Sequence, residues 1–168
     1  MEHNLILTVC NGNIQRSPIA ERCIRQALLK LELNKKVIVI SRGVQGAFGV
    51  RPPKGKNLKD YPAEWRASKP TLDKLGIDLS DHVATPLDEK IICDAVIIII
   101  MDKKVLDYLT DKFPKKRYKM KLFMELTGRK EDIQDCAGLS DGNLHSRMIE
   151  LIYQIVKENA NVLLKWIK

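Results

Sequence analysis

Aromatic residues, paired cysteines and long apolar runs are all scarce in this chain. Phe, Trp and Tyr make up only 5% of its 168 residues. They do not interleave with basic residues in the way single-strand nucleic-acid binders require, so no specific nucleic-acid partner is expected. The four cysteines, Cys10, Cys23, Cys93 and Cys136, form no pair with zinc-ligand spacing. Neither a metal site nor a cofactor is predicted. The longest apolar run, Ala95 to Met101, is far too short to span a bilayer. Met1-Glu2-His3 is not the basic start of a signal peptide. Together these absences predict a cytoplasmic protein in reducing surroundings, away from membranes. Residues 1–168 show no repeat, low-complexity tract or boundary, and their length suits one domain with one core.

What is there is basic. The formal net charge is +8, with 21 acidic residues scattered among the Lys and Arg. Such a balance suits anionic partners, phosphorylated substrates included. Lys115-Lys116-Arg117 is the densest cluster and reads as a solvated loop.

The chain is organised around residues 8–18, Thr-Val-Cys-Asn-Gly-Asn-Ile-Gln-Arg-Ser-Pro. The apolar run Leu5 to Val9 reads as a short buried strand. Ile19, Ala20, Cys23, Ile24, Ala27, Leu28 and Leu31 follow at helical spacing, with Ser17 as the expected N-cap and Pro18 as the first helical residue. A strand, a short loop and a helix start aim free backbone N–H groups and a positive dipole end at one point. An anion should bind there. Cys10 opens the loop where a thiolate would be stabilised, and Arg16 closes it with a fork suited to two phosphate oxygens. A thiolate beneath a bound phosphate is an in-line nucleophile. No Gly-Lys-Ser/Thr follows, which excludes a P-loop NTPase.

Further on, Val37 to Ile40 is apolar on both faces and predicts a central parallel strand. Gly43 to Lys59 predicts a long loop, functional or mobile. Ser68 to Leu75 reads as a short helix stopped by Gly76, and Asp81 to Ala84 as a connector. Ala95 to Met101 is the third strand, Asp102 caps a helix from Lys103 to Leu109, and Lys119 to Met124 is the fourth strand. Gly128 to Gly142 is a second functional loop. In the last helix Met148, Leu151, Ile152, Ile155, Val156, Leu163 and Trp166 share a face, with Asn143 or Asp141 as cap. Alternating strands and helices predict an α/β fold: a mostly parallel four-stranded sheet flanked by helices on both faces, with the phosphate-binding loop after the first strand. Ligands of such sheets bind at the carboxyl ends of the strands.

The spacing Cys-x5-Arg-Ser, within Val9-Cys10-x-Gly12-Asn13-x-x-Arg16-Ser17-Pro18-x-Ala20-Glu21, resembles the signature of the low-molecular-weight protein tyrosine phosphatases. The resemblance implies a cysteine nucleophile at Cys10, phosphate held by Arg16 and by Asn11, Gly12, Asn13, Ile14, Gln15 and Ser17, and a general acid in a loop before the last helix. Asp135 stands at the acid's position, with Asp132 as competitor. Cys136 replaces the usual proline and Ala137 a common aromatic. The resemblance also implies a left-handed Asn13, a hydrogen bond from Ser17 to the thiolate, support from Ser41 and His82, and Phe48 as the aromatic wall of the substrate cleft. His3 and His145 lack such a context and are expected in solvent.

The implied activity is metal-independent hydrolysis of phosphotyrosine or a small aryl phosphate through a cysteinyl-phosphate, by a monomer or weak oligomer. Arsenate reduction on this scaffold needs two further neighbouring cysteines, and Cys93 has none. The protein-arginine phosphatase branch carries threonine at the position of Ile14. A weak phosphate-binding module stays open because the segment around Asp135 is altered. Gln15 occupies the place where many relatives have a second loop cysteine, so Cys136 is either a substitute resolving thiol for an oxidised Cys10 or an ordinary loop residue.

Overall fold

A computed structural model describes residues 3–49 and 53–168. Residues 50–52 of the expected long loop, and Met1 and Glu2 of the expected non-signal start, lie outside the described residues.

Four parallel strands form one sheet: β1 (Asn4–Cys10), β2 (Val37–Gly43), β3 (Ile97–Ile100) and β4 (Met120–Leu122), in the order β2-β1-β3-β4. Five helices join them: α1 (Arg16–Lys30), α2 (Pro62–Leu75), α3 (Glu89–Asp94), α4 (Lys103–Lys112) and α5 (Gly142–Trp166). Side chains alternate across the pleat, so each strand feeds two cores. Ile6, Val37, Val39, Ile97 and Ile99 pack with α1, α2 and α5 on one face. Leu7, Val9, Ile98, Ile100, Met120 and Leu122 pack with α3 and α4 on the other. Helices therefore flank both faces, as expected, and the sheet is parallel throughout.

β2 lies at the sheet edge, not in its centre. Its apolar run reflects burial against α1, while Ile38, on the opposite face, stays 44% exposed. β1 is the central strand because the chain crosses first to one side of it and then to the other. The loop after β1 therefore sits at a topological switch point, where the crossovers diverge and leave a crevice.

Local departures have local causes. α1 begins at Arg16, capped by the Gln15 backbone without a side-chain bond, because the Ser17 hydroxyl is used in the loop instead. α2 begins at Pro62 rather than Ser68, with Pro70 inside it. A proline needs no N–H partner in the first turn, so Pro62 starts the helix without loss. α3 was not foreseen, and Asp88 caps it. Asp102 and Asp141 cap α4 and α5. Leu151, expected on the buried face of α5, is 39% exposed. Residues Pro114–Lys119 form a 3-10 turn, with Lys115 and Arg117 exposed. Among the described residues, no helix is long and apolar enough to cross a membrane.

Candidate active site

The loop of residues 11–15 turns back over the end of β1, and its Asn13 amide points inward at Cys10. Cys10 is buried, and its Sγ lies 3.0 Å from the Ser17 hydroxyl and 3.3 Å from the Asn13 amide, which donates to it. The Asn13 side-chain amide donates to Ser17 Oγ at 3.0 Å, and the serine proton has the sulfur at 3.0 Å and, at a longer 3.4 Å, the Arg42 carbonyl as acceptors. Asn13 has φ 59°, the left-handed conformation that Asn tolerates better than most residues. Thr85 N–H donates to its Oδ1 at 2.9 Å, and His82 Nε2 donates to its carbonyl at 2.7 Å. His82 thus braces the strained residue. Burial pushes the pKa of His82 below its ordinary value, outweighing the bond to Asn13 that favours the charged ring. Ser41, expected beside it, is buried, and its hydroxyl makes no hydrogen bond among the described residues.

Gly43, at the end of β2, packs directly beneath the loop, a placement the sequence reading missed. A Cβ there would meet the Asn11 carbonyl, Asn13 Cβ and Gly12 backbone at 2.9 Å. Only glycine allows β2 to lie this close beneath the loop.

Arg16 is 3% exposed and is held by two carboxylates. It donates to Asp102 Oδ2 at 2.7 Å, to Asp135 Oδ2 at 3.1 Å and to the Ile133 carbonyl at 2.9 Å. Burial works against its charge, but the charges of Cys10, Asp135 and Asp102 outweigh burial and hold its pKa above the usual value. Asp102 had been read only as a helix cap. It serves both roles, one oxygen capping α4 at Val105 and the other on Arg16. Its place beside the carboxyl end of a central strand was the available signal.

Cys10, Arg16 and Asp135 line one cavity of about 570 Å³, with Ile14, Gln15, Leu58, Tyr61 and others on its walls. Asp132, the competitor, instead accepts from the Lys103 amide at 2.8 Å and does not line the cavity. Phe48 does not line it either. Its ring packs edge-on against Tyr108 at 5.7 Å, beneath the Lys104 ammonium. The aromatic facing this cleft is Tyr61, at the entry to α2. Cys136 is fully buried in its loop, and burial pushes its thiol pKa up, with Asp135 adding to the effect. A thiol held protonated is a poor attacking group.

His145 overturns a second expectation. It is fully buried on α5, its ring in contact with Gln15 of the phosphate loop. The missed signal was its spacing of three and four residues from Met148 and Ile149, which places it on the buried face. Among the described residues, no group of three or more His, Cys, Asp or Glu could hold a metal ion.

Residues 5–168 match the family described as low molecular weight phosphotyrosine protein phosphatase. The chain belongs to that family. It is 27% identical over 165 residues to the probable low molecular weight protein-tyrosine-phosphatase AmsI of Erwinia amylovora, covering 98% of this chain and 95% of the relative. It is 30% identical over 131 residues to Etp of Escherichia coli, a low molecular weight protein-tyrosine-phosphatase, covering 78% of this chain and 76% of the relative. The tyrosine phosphatase Wzb from Escherichia coli K30, solved with sulphate, aligns with TM-score 0.74 at 27% identity over 96% of this chain and 99% of that one. A YwlE mutant from Bacillus subtilis aligns with TM-score 0.77 at 27% identity over 95% and 98%. A YwlE arginine phosphatase aligns with TM-score 0.78 at 25% identity over 96% of both chains.

Proposed function

We propose that this phosphatase hydrolyses phosphotyrosine in proteins, and small aryl phosphates, through a cysteinyl-phosphate and without a metal. The supporting observation is convergence: a sulfur reached by two hydrogen-bonding groups, a forked cation and a carboxylate all meet in one cavity. Cys10 Sγ attacks phosphorus in line as the P–O ester bond breaks. Loop amides and Arg16 hold the equatorial oxygens while charge shifts among them. An arriving phosphate competes with Asp135 for Arg16. Displaced from the cation, the carboxylate takes up a proton from solvent and delivers it to the leaving phenolic oxygen. Asp135 next takes a proton from water, the water oxygen bonds to phosphorus, and the S–P bond breaks to release phosphate and the thiolate. Ile14, Leu58 and Tyr61 offer an apolar seat for an aromatic ring. The proposed site of action is the cytoplasm.

The test is hydrolysis of nitrophenyl phosphate with a chelator present. Wild type turns over, Cys10→Ser does not, and Arg16→Lys is crippled because a lysine cannot make the two-pronged contact. Full activity in Cys10→Ser, or loss on adding chelator, overturns the mechanism.

Phosphoarginine hydrolysis is the second reading, favoured by the likeness to a YwlE arginine phosphatase. Ile14, whose side chain faces the cavity where that branch has threonine, counts against it.

A further inference from the structure

We propose that His145 is a positioning residue that sets the loop bearing Asp135 against the phosphate loop, each ring nitrogen holding one of them. The inference rests on the phosphatase reading and deepens it.

The ring is fully buried, so its hydrogen bonds define its state. Nε2 lies 2.7 Å from the Leu139 carbonyl. A carbonyl only accepts, so Nε2 donates there, and the Gln15 amide nitrogen only donates, so Nδ1 accepts from it. Two donors meet it there: Gln15 Nε2 at 2.8 Å and the Ser68 hydroxyl at 3.1 Å. Gln15 Nε2 also reaches Ser68 Oγ at 2.6 Å, which closes the cluster. Buried polar clusters satisfied in this way fix one arrangement of the elements that contribute to them.

The contributing elements are the ones the chemistry needs to register. Gln15 lies directly before Arg16 in the phosphate loop. Leu139 lies four residues after Asp135, in the same loop. α2 supplies Ser68, and its Glu64 accepts from the Gly138 amide at 2.9 Å, a second anchor on the acid's loop. Thr71 and Ser146, hydroxyl to hydroxyl at 2.6 Å, tie α2 to α5 one turn on. Misplacing a catalytic group by about 1 Å costs ~10²-fold in rate, so such a brace has consequences for turnover.

Two substitutions separate the two arms. His145→Asn keeps a polar atom near Nδ1 and loses the Leu139 bond. His145→Gln keeps a donor near Nε2 and loses the acceptor for Gln15. In His145→Asn, kcat on phenyl phosphate, a poor leaving group, is expected to fall ~10²-fold. It should fall far less on nitrophenyl phosphate, with calorimetric affinity for inorganic phosphate unchanged. In His145→Gln, the phosphate dissociation constant should rise roughly tenfold, the upper end for one lost hydrogen bond. Its ratio of rates on the two esters should stay as in wild type. Equal losses on both esters with wild-type phosphate affinity in both variants would sink the proposal, since a purely structural residue behaves so. If neither variant folds, Gln15→Leu decides by phosphate titration: weaker binding supports the brace and wild-type binding overturns it. Failure of the phosphatase reading is a separate result, a wild type that hydrolyses neither ester, and phosphate titration needs no turnover.

Discussion

The sulfur of Cys10 is reached by the Asn13 amide and the Ser17 hydroxyl, and each is itself held by the Asn13 side chain or backbone. Asn13 thereby ties the proposed nucleophile to Thr85 and His82, which come from far along the chain. At this scale the proposed acid is separable from its competitor. Asp135 has one oxygen on Arg16 and the other accepting from the Ala137 amide at 3.0 Å, whereas Asp132 is occupied by the Lys103 amide. Asp135→Asn is expected to lower kcat ~10²–10⁴-fold, the span of general acid catalysis. Asp132→Asn should do less, and the Asp135→Asn loss should grow with the pKa of the leaving alcohol. A worse Asp132→Asn, measured over a series of aryl phosphates, reverses the assignment. Ile14, on the cavity wall, is proposed to bear on substrate choice. Ile14→Thr should raise the rate on phosphoarginine relative to phosphotyrosine peptides. Comparable wild-type rates on both would count against an aryl preference.

The elements explain what could be read in advance and what could not. The strand-loop-helix around Cys10 was legible because its apolar spacing, its glycine and asparagine, and its Cys and Arg all lie within a short stretch. The strand of four isoleucines, Ile97–Ile100, was equally plain. Edge or centre was not legible for β2, because burial against α1 makes an edge strand as apolar as an inner one. Gly43, Asp102, Tyr61 and His145 escaped because each enters the site from a distant element, and their roles exist only once the crossovers are made. Phe48 was misassigned for the same reason: packing with Tyr108 holds it elsewhere, while Tyr61, beyond the long loop, reaches the cleft. His82 turns such packing into a measurable pH dependence. Burial keeps its folded-state pKa below the ordinary 6.5, so between those two values the unfolded chain binds more protons than the folded one. Stability should therefore rise with pH through that window and be flat, as regards this group, above about 6.5. His82→Gln, which keeps a donor for the Asn13 carbonyl, should flatten the rise in urea midpoints measured from acid to neutral pH. An unchanged slope would mean that another group carries it.

For the whole molecule the excess of positive charge bears on encounter more than on fold. The charge is +8, and among the described residues the cavity wall itself is balanced, Lys56 and Arg16 against Glu64 and Asp135. An anionic phosphopeptide approaching the cleft therefore meets a net attraction from the molecule at large. At about 0.01 M salt that field extends ~30 Å, and at about 0.15 M only ~8 Å. Raising salt across this range should lower kcat/KM severalfold for a phosphotyrosine peptide flanked by acidic residues. The fall should be smaller for a peptide flanked by neutral ones. The kcat of both should stay constant, because the groups around phosphorus are buried and poorly screened. Stopped assays at fixed pH measure both constants, and equal salt dependence for the two peptides would show that the surface charge plays no part in substrate capture.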